Sequence, residues 1–366
     1  MGMRVDYLSP TLYLVDVVWG LWMMTKLRIK KPKLTFENML VMLFVVMNVL
    51  VAENKWVAIY KWLRIGQWVV TFKIIKNSKL KINNLLKGII PVWIVVESLL
   101  GLAQVVKGGS LQGIFYWLGE RSFDFSGIGV AQLSVAGNGL VRAYGTFSHP
   151  NSLAGFLLVC LIWWSKYKKN LWWWVVFWLG VVGILVTGSR TVWVLGITAI
   201  LVNSYKLIVN SWKKYTGFCL VFTGFTMIVL GIIGANYRIS EFVSGWDSDS
   251  LAKRVNLNMV GMKMWQENFF LGVGVGNFIV RLPDYQNQSG FYWWQPIHNI
   301  FLLTGVEMGM LGVVLITKFL IFNLEFLIKR KNYFILGVIL MTGMLDHYWI
   351  TLPQNSWLLA VVLALL

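Results

Sequence analysis

The sequence predicts an all-α fold: a polytopic transmembrane bundle of about eleven membrane helices with a large extracytoplasmic helical loop. Three observations predict it. Hydrophobic residues make up 57% of the 366 residues and charged residues 13%, against roughly 45–50% and about 25% in soluble domains, so the chain lacks the polar surface to cover itself in water. Apolar runs near the length of about 20 residues that crosses the hydrocarbon recur from end to end. The connections between them alternate in lysine content, the pattern of the positive-inside rule. Secreted, collagenous and disordered classes are excluded by the same composition.

Taken in order, the apolar runs are 7–25, 36–53, 56–75, 88–106, 152–166, 171–188, 191–205, 216–235, 299–319, 333–350 and 355–366. The first has no cleavage site behind it and is expected to stay as a membrane helix. The third is interrupted by Lys61 and Arg64, which either snorkel or lay part of the segment in the interface. The last is short. Lys-rich connections at Lys26–Lys33, Lys73–Lys87, Lys166–Lys169, Lys206–Lys214 and Lys318–Lys331 belong to the cytoplasm. Segments 107–151 and 236–298 then become two long extracytoplasmic loops, the N-terminus lies outside and the C-terminus inside. Residues 1–366 form a single integral membrane domain in this reading. Cys160 and Cys219 fall within apolar runs, where cysteine acts as a small core residue, so neither a disulfide framework nor a thiolate metal site is expected.

The net charge of +18 would suggest nucleic acid in a soluble protein. Here topology uses most of it: the cytoplasmic side, with Lys61 and Arg64, holds 19 Lys and 3 Arg, and the outer side 4 Lys and 7 Arg. The partner implied is the lipid bilayer, with no nucleic acid. Arginine is concentrated where topology needs no cation, and its planar fork suits bidentate grip of phosphate or carboxylate. The alternative is pairing with outer acids such as Glu120, Asp124, Glu241, Asp247 and Asp249. All three histidines, His149, His298 and His347, fall on the same side. The 21 tryptophans are expected at the two interfaces.

Five stretches carry candidate chemistry. Arg142 precedes Ser148-His149-Pro150-Asn151, where Pro150 suits a first helical turn and the exposed N–H groups favour an anion. Arg190, in Thr187-Gly188-Ser189-Arg190, is an ionisable residue at membrane depth, a functional hypothesis by default, or else a snorkelling interfacial cation. Around Arg254, Leu251, Val255, Met259, Met262 and Trp265 recur every three or four residues, as in an amphipathic helix lying on the membrane or the bundle. His298-Asn299 opens an apolar run containing Gly309 and Gly312, which let a neighbouring helix approach; a histidine there suits general-base work or simple hydrogen bonding. Asp346-His347 ends another run, where Asp346 pairs with an arginine or orients a histidine, or only closes a helix. Gly272-Val-Gly-Val-Gly276 lacks the dinucleotide spacing and is expected to be a flexible turn of close backbone approach. The histidines are too scattered for a metal site.

In order and spacing these stretches resemble the O-antigen ligase and O-antigen polymerase superfamily. The most specific feature is His298-Asn299, nine residues, then Gly309-x-x-Gly312; the resemblance covers about 90–350. It implies an enzyme of the bacterial cytoplasmic membrane, active at its outer face. Such an enzyme moves a glycan from an undecaprenyl-diphosphate carrier to an acceptor hydroxyl on a glycolipid, glycan or protein, with no metal or other cofactor. It further implies that Arg190 and Arg254 hold the diphosphate and that His298 handles the acceptor proton. The residues add Arg142 as a third contributor, with His149, Asn151, Asn299, Asp346 and His347 in support. A polymerase of the same superfamily is the alternative; a transporter of lipid-linked glycans is the rival from another class. Members of the superfamily carry twelve membrane helices with both ends cytoplasmic, so the count of eleven leaves the N-terminal topology open.

Overall fold

The computed structural model describes residues 11–26, 35–77, 82–127, 129–135, 138–167, 170–198, 248–286, 294–329 and 333–365. The expected span at 216–235, and Cys219 with it, lie outside the described residues. Regular structure is predominantly helical, as expected. The departure is an antiparallel pair, Gln132–Val135 with Asn138–Val141, inside the segment read as the first long loop. Four residues a side is too short a period to tell from a loop. Two described helices, Leu86–Lys107 and Ile300–Phe319, are long and apolar enough to cross a membrane, and six shorter apolar helices accompany them. The chain divides into two compact units, Met1–Thr71 with Asn256–Glu325, and Phe72–Val255 with Phe326–Leu366.

In the first unit the helices are Leu14–Lys26, Phe36–Val51, the start of Lys55–Asn77, most of Ser248–Glu267, and the start of Ile300–Lys329. Thr35 caps the second, its hydroxyl accepting from Asn38 N at 3.3 Å. Arg64 neither snorkels nor breaks the third. Its guanidinium pairs with buried Asp16 of the first helix, donates to Thr11 O at 2.6 Å and meets the Tyr60 hydroxyl at 3.0 Å. A buried ion pair needs such extra hydrogen bonds to offset its desolvation.

The glycine stretch is a fixed turn. Gly272, Gly274 and Gly276 all have positive φ (+68°, +90° and +78°), a region that glycine enters without strain. Asn48, wholly buried, donates to Leu271 O (2.8 Å) and Glu307 O (2.9 Å) and accepts from Val275 N (3.1 Å) and Trp62 Nε1 (2.9 Å). Gly309, with φ +65°, kinks the Ile300–Lys329 helix. Close approach at Gly309 is therefore by a loop: Met310 N donates to Phe269 O at 2.8 Å, and a Cβ on Gly309 would collide with the Phe270 backbone.

The second unit is built on Ile82–Lys107, Pro150–Trp164, Leu171–Val186, Tyr333–Leu345 and Pro353–Leu365. Gly180 sits against Ile94 and Leu161, and Gly183 against Ser98 and Leu157, the small-residue packing that membrane helices use. The core includes Trp163, Trp164, Trp173 and Trp349. These tryptophans are buried, and Trp164 and Trp173 each donate to the other's carbonyl, at 3.4 and 3.0 Å. The run read as 333–350 leaves helical geometry at Asp346, where the carboxylate accepts from His347 N (2.8 Å). A short turn, Tyr348–Thr351, follows.

Candidate functional site

The segment from Arg142 to Asn151 is held by two buried polar side chains, Gln104 and Glu97. Gln104 accepts from Tyr144 N (3.0 Å) and Gly145 N (2.8 Å) and donates to Gly145 O and to Glu120, both at 2.9 Å. Glu97 accepts from Thr146 N (2.9 Å) and from its hydroxyl (2.6 Å). Gly145 has φ +57°, and a Cβ there would strike the Glu97 carboxylate. His149 is the N-cap of the Pro150–Trp164 helix, with Nδ1 accepting from Asn151 N at 3.2 Å and Pro150 in the first turn. The first helical turn expected at Pro150 is thus capped by His149.

Arg142 lies above this support. Its Nε donates to Thr187 O at 2.5 Å and its Nη2 to Asn151 Oδ1 at 2.7 Å. Asn151 Nδ2 in turn donates to Asp346 Oδ2 at 2.9 Å. An amide thus stands between guanidinium and carboxylate, using its oxygen for one and its nitrogen for the other. Thr187 ends the Leu171–Val186 helix, and Gly188 follows at φ +63°, the left-handed residue that commonly closes a helix. Its successor Ser189 is buried, and Arg190 opens the helical residues 190–198.

Burial pushes the Arg142 guanidinium down to about 10, the charges of Arg190 and Arg254 push the same way, and Tyr144 and Asp346 act against them. Arg142 remains cationic at neutral pH. The charges of Arg190 and Arg254, distant in sequence, are thus felt at Arg142 within one unit. Arg190 is exposed at the protein surface and not enclosed in the bundle, because it follows the turn that ends a helix. Arg254 is half-buried, on the first turns of Ser248–Glu267, with Nη1 3.5 Å from Leu345 O. That helix has two apolar faces. Val255, Met259 and Met262, from the stripe read in the sequence, are exposed, while Leu257, Val260 and Met264 are buried.

His347 Nδ1 lies 2.7 Å from Thr351 Oγ1, whose hydroxyl is 3.0 Å from His347 O. With the hydroxyl donating to the carbonyl, the ring nitrogen is the donor in the first contact.

His298 and Asn299 belong to the first unit. Asn299 is a helix cap, its Oδ1 accepting from Phe301 N (2.9 Å) and Leu302 N (3.1 Å). That gives the small polar residue after the histidine a backbone reason. His298 is half-buried, with Nε2 3.4 Å from Gln295 Oε1, and its neighbour Ile297 is wholly buried.

Sequence reasoning missed Glu97, Gln104, Asn48 and Glu307, and read Glu120 as a partner for an arginine rather than for backbone N–H groups and Gln104. Glu97 and Glu307 had a signal: each is an acid inside an apolar run, which is rare without a purpose. Glu307 accepts from Phe278 N at 3.4 Å and so braces the glycine turn. Gln104 and Asn48 carry no such signal, since an uncharged amide in an apolar run is not conspicuous.

Residues 175–317 match the model of the O-antigen ligase family. The matched segment contains Arg190, Arg254, His298 and the glycine turn; Arg142, Asn151 and Asp346 fall outside it. No curated protein matches the chain.

Proposed function

We propose, from the match of residues 175–317 to the O-antigen ligase family, that the chain transfers a glycan from an undecaprenyl-diphosphate carrier to an acceptor hydroxyl at the outer face of a bacterial cytoplasmic membrane. The observation that supports this most is the Arg142 fork, held by Thr187 O at 2.5 Å and Asn151 Oδ1 at 2.7 Å in the same unit as Arg190 and Arg254. A diphosphate leaving group accumulates negative charge as the glycosidic bond breaks. Fixed cations aimed at that charge are the main catalytic requirement. Arg142 is already oriented by Thr187 and Asn151, and the remaining donors of its fork are available to phosphate oxygens.

The acceptor hydroxyl needs a base, a role we assign to His298. Its proton moves to the imidazole, the new carbon–oxygen bond forms, and the anomeric bond to the diphosphate oxygen breaks with its electron pair leaving on the phosphate. Direct displacement inverts the anomeric centre. No step needs a metal or a nucleotide sugar.

The test is reconstitution in nanodiscs with a polyprenyl-diphosphate-linked glycan and candidate acceptors. Release of polyprenyl diphosphate with a new, inverted glycosidic bond supports the reading. Lengthening of carrier-bound glycan alone marks a polymerase. Movement of the lipid-linked glycan without a new bond marks a transporter and overturns it.

A further inference from the structure

Immediately after the Ile82–Lys107 helix, the chain makes a turn with an unusual surface. Ile114, Tyr116, Trp117 and Leu118 expose between 54% and 84% of their area, and no polar side chain interrupts them. The turn is firmly built. Glu120, 2% exposed, accepts from Leu111 N and Gln112 N, both at 2.7 Å, and its own N–H donates to Phe115 O at 2.8 Å. Gln112 is the only non-glycine with positive φ among the described residues (+67°). Such a conformation is strained for a side-chain-bearing residue, and here its N–H is held by the Glu120 carboxylate. The chain is thus held in a costly shape that presents an apolar face outward.

We propose that Ile114–Leu118 is a membrane-interface anchor, seated at the boundary between headgroups and acyl chains, that fixes the depth of the Arg142 segment. The occupant is identified by three features. The turn begins a few residues beyond the end of a helix long and apolar enough to span. Tyr and Trp are the residues that favour this boundary, having an apolar body and a polar edge. Lys107 and Arg121 flank the apolar face with positive charge suited to anionic headgroups. Lys107 donates to Ser110 O at 2.8 Å and Leu111 O at 3.2 Å, which ties the end of the helix to the turn.

The connection to Arg142 is a short chain of hydrogen bonds. The Glu120 carboxylate that holds Leu111 and Gln112 also accepts from Gln104 Nε2 (2.9 Å), and Gln104 Oε1 accepts from Tyr144 N and Gly145 N. Anchor and arginine segment are therefore tied into one hydrogen-bonded piece. A diphosphate carried on a membrane lipid lies at a set depth, and this piece places a guanidinium at a set depth. The anchor rests on the membrane reading alone; its purpose rests on the proposed transfer.

The test uses spin labels on the full chain in a Cys160→Ala/Cys219→Ala background, reconstituted in phosphatidylcholine and phosphatidylglycerol vesicles. A label at Trp117→Cys should collide with a water-soluble nickel chelate several-fold less often than one at Ser126→Cys, an exposed position in the same segment, while remaining accessible to oxygen. Ile114→Cys and Leu118→Cys provide the same measurement if Trp117→Cys does not fold. Equal nickel accessibility at Ser126 and at the anchor positions overturns the proposal. So does protection that appears only when polyprenyl diphosphate is added, which assigns the face to the isoprenoid tail. Protected labels in a protein whose unlabelled parent shows no transfer would count against the enzymatic reading and leave the anchor standing.

Discussion

Replacing Asn151 with Leu keeps the approximate volume of the side chain and removes both of its hydrogen bonds. The Arg142 guanidinium loses an acceptor at 2.7 Å and the Asp346 carboxylate a donor at 2.9 Å. A hydrogen bond to a charged group contributes about 1.5–3 kcal/mol, so the two together reach about 3–6 kcal/mol if fully buried. Asp346 is 7% exposed, but Arg142 is only half-buried, and water recovers part of its loss, which brings the expected cost to about 2–4 kcal/mol. Unfolding in mixed detergent micelles measures it. A double-mutant cycle with Asp346→Ala isolates one of the two bonds and should give a coupling of about 1.5–3 kcal/mol. Asn151→Asp is the sharper variant, since it keeps the acceptor for Arg142 while setting a carboxylate against Asp346. It should also destabilise, despite strengthening the contact with arginine. Additive effects of Asn151→Leu and Asp346→Ala, or an Asn151→Asp protein as stable as the parent, would refute the reading of the amide as a two-way bridge.

For His298→Ala, removal of a general base should lower transfer about 10²–10⁴-fold with binding of the carrier lipid retained; near-normal turnover in nanodiscs removes the assignment. Arg254→Lys should support little transfer, because an ammonium cannot grip two phosphate oxygens as the fork does, and full activity would argue against a diphosphate clamp. Arg64→Leu alone should destabilise the first unit by about 3–5 kcal/mol by leaving Asp16 buried and unpaired, whereas Arg64→Leu with Asp16→Leu should restore much of the loss; thermal aggregation profiles in detergent separate the two outcomes. Transfer should persist in EDTA, and activity abolished by chelation and restored by a divalent ion would overturn the metal-free scheme.

What was legible in the sequence follows what the physics leaves in a linear pattern. Helices and their approximate limits were visible because burial in hydrocarbon demands an unbroken apolar run. Pro150 marked a helix start because it acts through local geometry, whereas Gly309, read as a point of helix approach, is a kink packed by a loop. The strand pair at 132–141 was missed because four alternating residues carry almost no period. The apolar stripe around Arg254 was visible but its direction was not: Val255, Met259 and Met262 are exposed while Leu257, Val260 and Met264 are inward. This helix has apolar residues on more than one face, and spacing cannot say which of them meets protein. Bridges such as Arg142–Asn151–Asp346 join residues 195 positions apart, and no local pattern records them.

The sorting of arginines by side of the membrane becomes more selective once their partners are known. Arg64 is matched by Asp16. Arg281, counted with the outer group, lies 3.3 Å from Asp284 and 3.6 Å from Glu53, so for it the alternative of pairing with an acid holds. Glu120, one of the acids that might have neutralised an arginine, spends its oxygens on backbone N–H groups and Gln104. Arg142 is treated differently: its direct partners are a carbonyl and an amide, and the one carboxylate in its network is held a residue away by Asn151. A direct ion pair would fix the guanidinium and also spend its charge. A neutral spacer fixes it while leaving the charge to act on an incoming anion, at the cost of an arginine that burial and two neighbouring arginines disfavour. Such an arrangement fits the proposed role of Arg142 as a cation that receives a diphosphate, because functional sites are where shifted, charge-keeping groups cluster.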